Sequence, residues 1–266
     1  MPPVQLHRRP TFVLGALVLL VLGACSSGSD DPPPPTLVPP TEVATPTLAP
    51  GQARVGDLLE RAEASWDGVT NLRSVFSSTE TSSSEAETGG REVVVEEVKP
   101  DRRRVVVRED GIVTDEQIVV DGVIYLRGSF VAGLVAPNVG DQTWVTVDPA
   151  VVPPDTPVGQ QVAALNAPIS APYQAVRPET RALPATPAGR IDIAGRSCQA
   201  FTFSARDTVS GGQIEYTLAL DDTDRLCALN QSAGAVTNRT VFTYNVPQLT
   251  IEAPLAATPV SGTPEG

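Results

Sequence analysis

The sequence predicts an α+β domain that is mainly β, and three observations carry that prediction. One amphipathic helical pattern opens the region after residue 52, short β-branched runs follow in two clusters, and a Pro- and Ala-rich crossover divides the clusters. The helix is written in Val55, Leu58, Leu59, Ala62, Trp66, Val69 and Leu72, spaced by three or four residues, with Glu60, Arg61, Glu63 and Asp67 between them. Candidate strands lie near 72–82, 91–98, 102–109, 113–120, 123–127 and 143–147. A second set lies near 190–194, 197–205, 213–220, 225–231, 236–245 and 248–252, and all neighbours can pair as a meander. Asp121-Gly122, between two apolar runs, is a hairpin signal, because a type I′ turn needs positive φ at both centres. The crossover, 149–188, holds one short helical pattern at Val158–Leu165, and a connection that long inside a compact domain is a cover or a binding element.

Ahead of the domain, His7, Arg8 and Arg9 precede an apolar run from Phe12 to Leu22. About 20 apolar residues are needed to span a bilayer, and a shorter run behind positive charge is the pattern of a signal peptide. Leu22-Gly23-Ala24-Cys25 follows and resembles the bacterial lipobox. That resemblance implies cleavage after residue 24, a diacylglycerol on the Cys25 thiol, and attachment to the outer side of a bacterial membrane, cytoplasmic or outer. Two or three acyl chains anchor stably where one does not. Residues 25–52, rich in Pro and Ser, have no apolar periodicity and read as a tether, 53–254 as the domain, and 255–266 as a disordered tail.

Composition and missing residue types narrow the chemistry. Removing residues 1–24 takes away two basic residues, the only histidine and the only methionine, so the formal charge moves from −12 to −14. So acidic a chain repels phosphate backbones, which argues against nucleic acid as a partner. Without histidine there is no Ser-His-Asp or Cys-His nucleophile and no His-ligated zinc, and no Gly-x-Ser-x-Gly elbow or phosphate-binding glycine loop occurs. No catalytic residue, cofactor or metal ligand is assigned. The acid pairs Glu96-Glu97 and Asp221-Asp222 are the remaining candidates for a carboxylate hydrolase, the first in a strand pattern and the second in a hairpin turn. Asp221-Asp222-Thr223-Asp224 offers spaced oxygens to calcium but lacks the glycine and distal carboxylate of a known loop. Arg102-Arg103-Arg104 is either a solvated strand end or a contact for anionic headgroups. Asn230-Gln231-Ser232 and Asn238-Arg239-Thr240 match a eukaryotic glycosylation sequon, which the lipobox argues against.

The order of elements resembles that of the LolA and LolB carrier family, and more closely the LppX- and LprG-type bacterial lipoproteins. The resemblance rests on the helical pattern ending in Trp66 to Leu72, on Lys99-Pro100-Asp101-Arg102 before a valine strand, and on Val120-Asp121-Gly122-Val123-Ile124-Tyr125-Leu126-Arg127. Trp144 and the run from Phe242-Thr243-Tyr244-Asn245 to Ile251-Glu252-Ala253-Pro254 complete it, over most of 55–254. It implies a strongly curved antiparallel sheet, an unclosed half-barrel, that wraps around helices and encloses an apolar cavity. Cavity candidates are Trp66, Leu72, Val106, Ile118, Val120, Phe130, Leu134, Trp144, Phe201 and Phe203, with Phe130 and Leu134 in an apolar loop suited to a mouth. A slip of one residue in facing would exchange each strand position for its neighbour.

Two cysteines remain in the domain, Cys198 and Cys227, an even pair in an oxidising compartment. A strict meander puts the strand at 213–220 between them and holds them about 10 Å apart, beyond disulfide reach. Either that strand is short or bulged there, or the thiols are free. Three functions follow: a carrier that shelters a lipid or lipid-linked molecule and passes it across the envelope, an envelope sensor or assembly module that binds a protein with the same fold, and a hydrolase using carboxylates alone. The oligomeric state is left open.

Overall fold

In a computed structural model, the described residues are 47–80, 90–131, 139–150, 152–172, 176, 178–207 and 211–259. Cys25, the signal and tether segments up to residue 46, and Leu134 lie outside them. The chain enters through β1 (Ala53–Arg54) and α1 (Val55–Ala64). A first meander follows: β2 (Asn71–Glu80), β3 (Arg91–Val98), β4 (Arg102–Glu109), β5 (Ile112–Val120), β6 (Val123–Gly128) and β7 (Val145–Val147). After α2 (Pro157–Asn166), a second meander runs through β8 (Pro184–Ile193), β9 (Arg196–Arg206), β10 (Gln213–Leu220), β11 (Leu226–Ala233) and β12 (Val236–Tyr244), and β13 (Thr258–Pro259) ends it.

The described strands form one sheet in the order β1-β8-β9-β10-β11-β12-β2-β3-β4-β5-β6-β7-β13. The two meanders join where β12 pairs antiparallel with β2, and the sheet does not close on itself. It is an unclosed, curved half-barrel with few helices. Three hairpins turn on a non-glycine residue and a glycine at positive φ: Asp110-Gly111, Asp121-Gly122 and Ala194-Gly195. Such turns match the right-handed twist of the strands they join.

The helical periodicity from Val55 to Leu72 divides in two. α1 stops at Ala64, Ser65 caps it by donating to the Ala62 carbonyl, and Leu72 belongs to β2. Apolar residues at three- and four-residue spacing continue past the helix because the turn at 65–70 packs on the same core, so periodicity overran the true end. The expected strand at 248–252 is an irregular strap instead, with Ile251 buried. The chain is still paired at Thr258–Pro259, inside the segment read as a tail, where β13 adds in parallel to β7.

Register fixes which residues share a face, because directly opposed residues point the same way. Leu72, Glu97, Arg103 and Val119 oppose one another across β2 to β5. Leu72 packs with Val55, Leu58, Leu59 and Ala62 of α1, and Val119 packs with Val162 and Leu165 of α2. Both helices therefore cover one face of the sheet, the inner face. On the outer face the strap seats Ile251 among Val98, Ile118, Val120, Tyr125 and Trp144.

Cys198 and Cys227 are joined by a disulfide with a Cα separation of 6.6 Å. The intervening strand, β10, ends at Leu220 opposite Gln199, short of Cys198, and the bulge is in β11: Ala219 opposes Ala228, Leu220 opposes Leu226, and Cys227 is the extra residue. The bond lies over the small side chain of Ala219, among Ile193 and Ala228.

Candidate binding groove

The inner face is not uniformly filled. At one flank α1 covers a cluster rich in large side chains, including Phe201, Phe203, Tyr216, Leu218, Leu229 and Phe242. Phe203 stacks on Tyr216 with ring centroids 4.8 Å apart. At the other flank α2 covers Val119, Ile124, Leu126, Val145 and Val147. Between the flanks, two inner rows cross β2 to β4, Phe76-Val93-Val107 and Ser74-Val95-Val105; Val107 is buried and the other five are half-buried. Among the described residues, Phe76, Val93 and Val95 belong to neither cluster. Half-buried apolar side chains in adjacent rows, outside both helix-covered clusters, make this strip the candidate floor of a groove.

A buried ion pair bounds one end of this floor. Arg103 Nε donates to Glu97 Oε1 at 2.8 Å, and its Nη1 donates to the carbonyls of Leu165 at 2.7 Å and Ala164 at 3.1 Å. The last carbonyls of a helix lack partners within it, so Arg103 satisfies the end of α2 and fixes it to β4. Burial pushes the Glu97 carboxyl above its ordinary range, while the Arg103 charge and hydrogen bond pull it back part of the way. A second polar contact holds the middle of α2, where Gln161 Nε2 donates to Gln117 Oε1 of β5 at 3.0 Å. Thr156 caps the helix start, and Gly159 allows it to lie against the Pro153 carbonyl, which a Cβ would meet at 2.0 Å. Beside Arg103 a recess of about 350 Å³ opens between α2 and the turns, lined by Pro100, Asp101, Val119, Gly122 and Leu165 to Ile169. It is near the lower end of the roughly 300 to 1,000 Å³ typical of ligand pockets.

The expected cavity residues divide between two faces. Leu72, Phe201 and Phe203 are on the inner face but are packed into the α1 cluster, and Trp66 lies half-buried beside it beneath the Lys99 ammonium, 4.2 Å from the ring centre. Phe130 packs against the α2 cluster. Val106, Ile118, Val120 and Trp144 face outward, the one-residue slip that exchanges each for Val105, Gln117, Val119 and Val145. The triplets Val93-Val94-Val95 and Val105-Val106-Val107 conceal the facing, because apolar residues without alternation have no parity to read. Glu97 opposite Arg103 is the signal that could have set it, since a buried ion pair needs both members on one face.

The same alternation separates the acid pairs. Glu97 points inward to Arg103, whereas Glu96 points outward between Arg73 at 3.8 Å and Arg104 at 3.6 Å. Two carboxylates on opposite faces of a sheet cannot act on one bond. Glu96 is part of an outer ladder that continues from Arg104 to Glu116 at 2.7 Å and on to Arg127, whose guanidinium lies 4.8 Å from the Trp144 ring centre. Arg102 donates to the Ile251 carbonyl, so every member of the arginine triplet is engaged within the domain. At the other candidate site, Asp221 accepts from the backbone of Thr223 and Arg225, Asp222 pairs with Arg190, and Asp224 pairs with Arg61. This is a hairpin turn stapled by arginines.

No family model and no curated protein matches the chain. Among solved structures it is similar to the Mycobacterium tuberculosis lipoprotein LppX, with 11% identity over 74% of this chain and 98% of that one, at a TM-score of 0.43. It is also similar to LprF from Mycobacterium bovis, with 14% identity over 75% and 96%, at 0.39. A third is the MucA/MucB complex of Pseudomonas aeruginosa, with 16% identity over 72% of this chain and 57% of that one, at 0.38.

Proposed function

We propose that this chain is an envelope lipoprotein, anchored through Cys25, that holds the acyl chain of a lipid or lipid-linked molecule on the inner face of its half-barrel and carries or presents it across the envelope. The observation that supports this most is the strip Phe76, Val93 and Val95, apolar and half-buried between two helix-covered clusters, with Val105 at the edge of the α2 cluster. Apolar surface left on a curved sheet gains about 25 cal/mol per Å² when a ligand covers it. The lipobox motif supports the anchor. The half-barrel has no assigned catalytic role.

Native mass spectrometry of detergent-free protein tests the ligand. A mass increment matching a lipid, or uptake of an added fluorescent fatty acid, is expected; a single apo mass with no uptake contradicts the reading. Metabolic labelling with a palmitate analogue tests the anchor, and Cys25→Ser is expected to abolish the label. A second reading, a module that binds an envelope protein, draws on the small volume of the recess beside Arg103, which suits a side chain better than a whole lipid. A stable cross-linked protein partner in place of co-purified lipid would favour it.

A further inference from the structure

The sheet has two outer edges, and they are closed to different extents. At one, β13 covers the short strand β7. At the other, β1 pairs only with Pro184 and Ala185 of β8, and the chain before it turns at Ala49 to Gln52. Thr186 to Asp192 of β8 are exposed, so the edge beyond β1 is uncovered. An unpaired edge is a template for another strand, and proteins blunt such edges with proline and bulges. Pro187 and the irregularity between Pro187 and Arg190 blunt the first part of this one. Arg190 to Ile193 remains a regular strand with nothing on its free side among the described residues.

The direction of the free backbone groups follows from the turn that ends β8. Ala194-Gly195 is a two-residue hairpin turn, so Ile193 and Arg196 close it as a hydrogen-bonded pair. Hydrogen-bonded and non-hydrogen-bonded pairs alternate in an antiparallel ladder. Ile191 therefore also bonds to β9, opposite Cys198, whereas the N–H and C=O groups of Arg190 and Asp192 point to the open edge. A second β8, antiparallel about a two-fold axis at Ile191, sets Arg190 opposite Asp192 of the copy and Asp192 opposite its Arg190. These are the residues with free backbone groups, so both pairs are hydrogen-bonded, and the Ile191 side chains, 36% exposed, meet at the axis. An axis at Arg190 or Asp192 would oppose like charges instead. Arg190 donates through Nε and Nη2 to Ser197 and Asp222, and Asp192 accepts the Gly195 amide on Oδ1. Nη1 and Oδ2 have no partner among the described residues and remain for the copy.

We infer that the open edge of β8 is a self-association site, at which a second copy of this chain adds its own Arg190–Ile193 strand antiparallel and continues the sheet from one half-barrel into the next. Self-complementarity selects this occupant: an Arg–Asp pair on each side of the axis, an isoleucine contact at it, and backbone groups in phase. The site does not depend on the acyl-binding reading. Four strands separate β8 from β2, so the pairing leaves the strip Phe76, Val93 and Val95 to its own ligand.

Two experiments on the full chain, in detergent with micelles in excess, test it. In sedimentation over a concentration series, the unmodified chain is expected to pass from monomer to dimer. Arg190→Asp leaves two acidic residues on the edge and Asp192→Arg two basic ones. Each alone is expected to weaken association about ten-fold or more, and an equimolar mixture to restore it. A monomer at every concentration, a dimer that both substitutions leave unchanged, or a mixture no more associated than its components overturns the inference. The register is tested by oxidising Arg190→Cys mixed with Asp192→Cys, which sets two thiols opposite each other and keeps one Arg–Asp pair. The Cα atoms of such a pair are about 5.5 Å apart, within disulfide reach, whereas two copies of either variant alone hold their thiols two residues out of step. A covalent dimer from the mixture, and little from either variant alone, is expected. Equal cross-linking in all three, or none in the mixture, overturns the inference.

Discussion

The two helix-covered flanks of the half-barrel are built differently. The α1 flank is filled with Phe, Tyr and Leu side chains, and a disulfide crosses the opposite face of its strands. The α2 flank is filled with valines, is covered by one short helix, and is held by polar contacts from Arg103 and Gln117. Large interlocking side chains resist separation, whereas α2, a ten-residue helix like α1, buries only Gly159, Val162 and Leu165, so its local opening is expected to cost less than that of α1. The packing predicts that the α1 flank carries more of the stability and the α2 flank more of the adaptability, with the strip Phe76, Val93 and Val95 between them.

The largest effects should fall on the α1 flank. Replacing Cys198 and Cys227 together by alanine is expected to cost about 3 to 4 kcal/mol, since the bond closes a loop across 29 residues. Chemical denaturation measures it. Leu218→Ala, at a fully buried position in that cluster, is expected to cost about 3 kcal/mol, against about 1 kcal/mol or less for Val95→Ala on the half-exposed floor. Equal costs would mean that the floor is packed like the core and that the contrast is false.

A smaller global effect and a larger local one are expected for Gly159→Ala, whose Cβ would collide with the Pro153 carbonyl. Hydrogen exchange should show lost protection in α2, while the amides of β9 to β12 keep theirs. Loss of protection in both places would make the two flanks one cooperative unit.

The mildest effect is one of pH. Because burial raises the folded-state pKa of Glu97, the folded protein takes up its proton more readily than the unfolded chain does. This contribution to stability is present below the unfolded value near 4.5 and is lost as pH rises through the raised folded value. Relative to Glu97→Gln, the unmodified protein should therefore gain stability as pH falls through that window. Parallel denaturation curves for the two proteins across it would show that Glu97 does not sense its burial.

Strand positions were legible because β-branched runs ended at turn residues: 91–98, 102–109 and 213–220 coincide with β3, β4 and β10. Asp121-Gly122 turns as its sequence predicts, with φ of 53° and 77°. Facing was not legible in the valine triplets, and the groove with it, since Val106 and Val105 differ only in parity. The disulfide posed a different difficulty. Spacing and compartment suggested the pair, but the end of β10 opposite Gln199 and a bulge at Cys227 together bring the residues within reach, and no residue in Leu226-Cys227-Ala228 announces a bulge.

Photocrosslinking maps the central claim most directly. A fatty acid with a photoactivatable group on its acyl chain, bound to the full chain and irradiated, should label the inner positions of β2 to β4, namely Phe76, Val93, Val95 and Val105, in digested peptides. Labelling confined to outer positions such as Val94 and Val106, or no saturable labelling, would contradict the account.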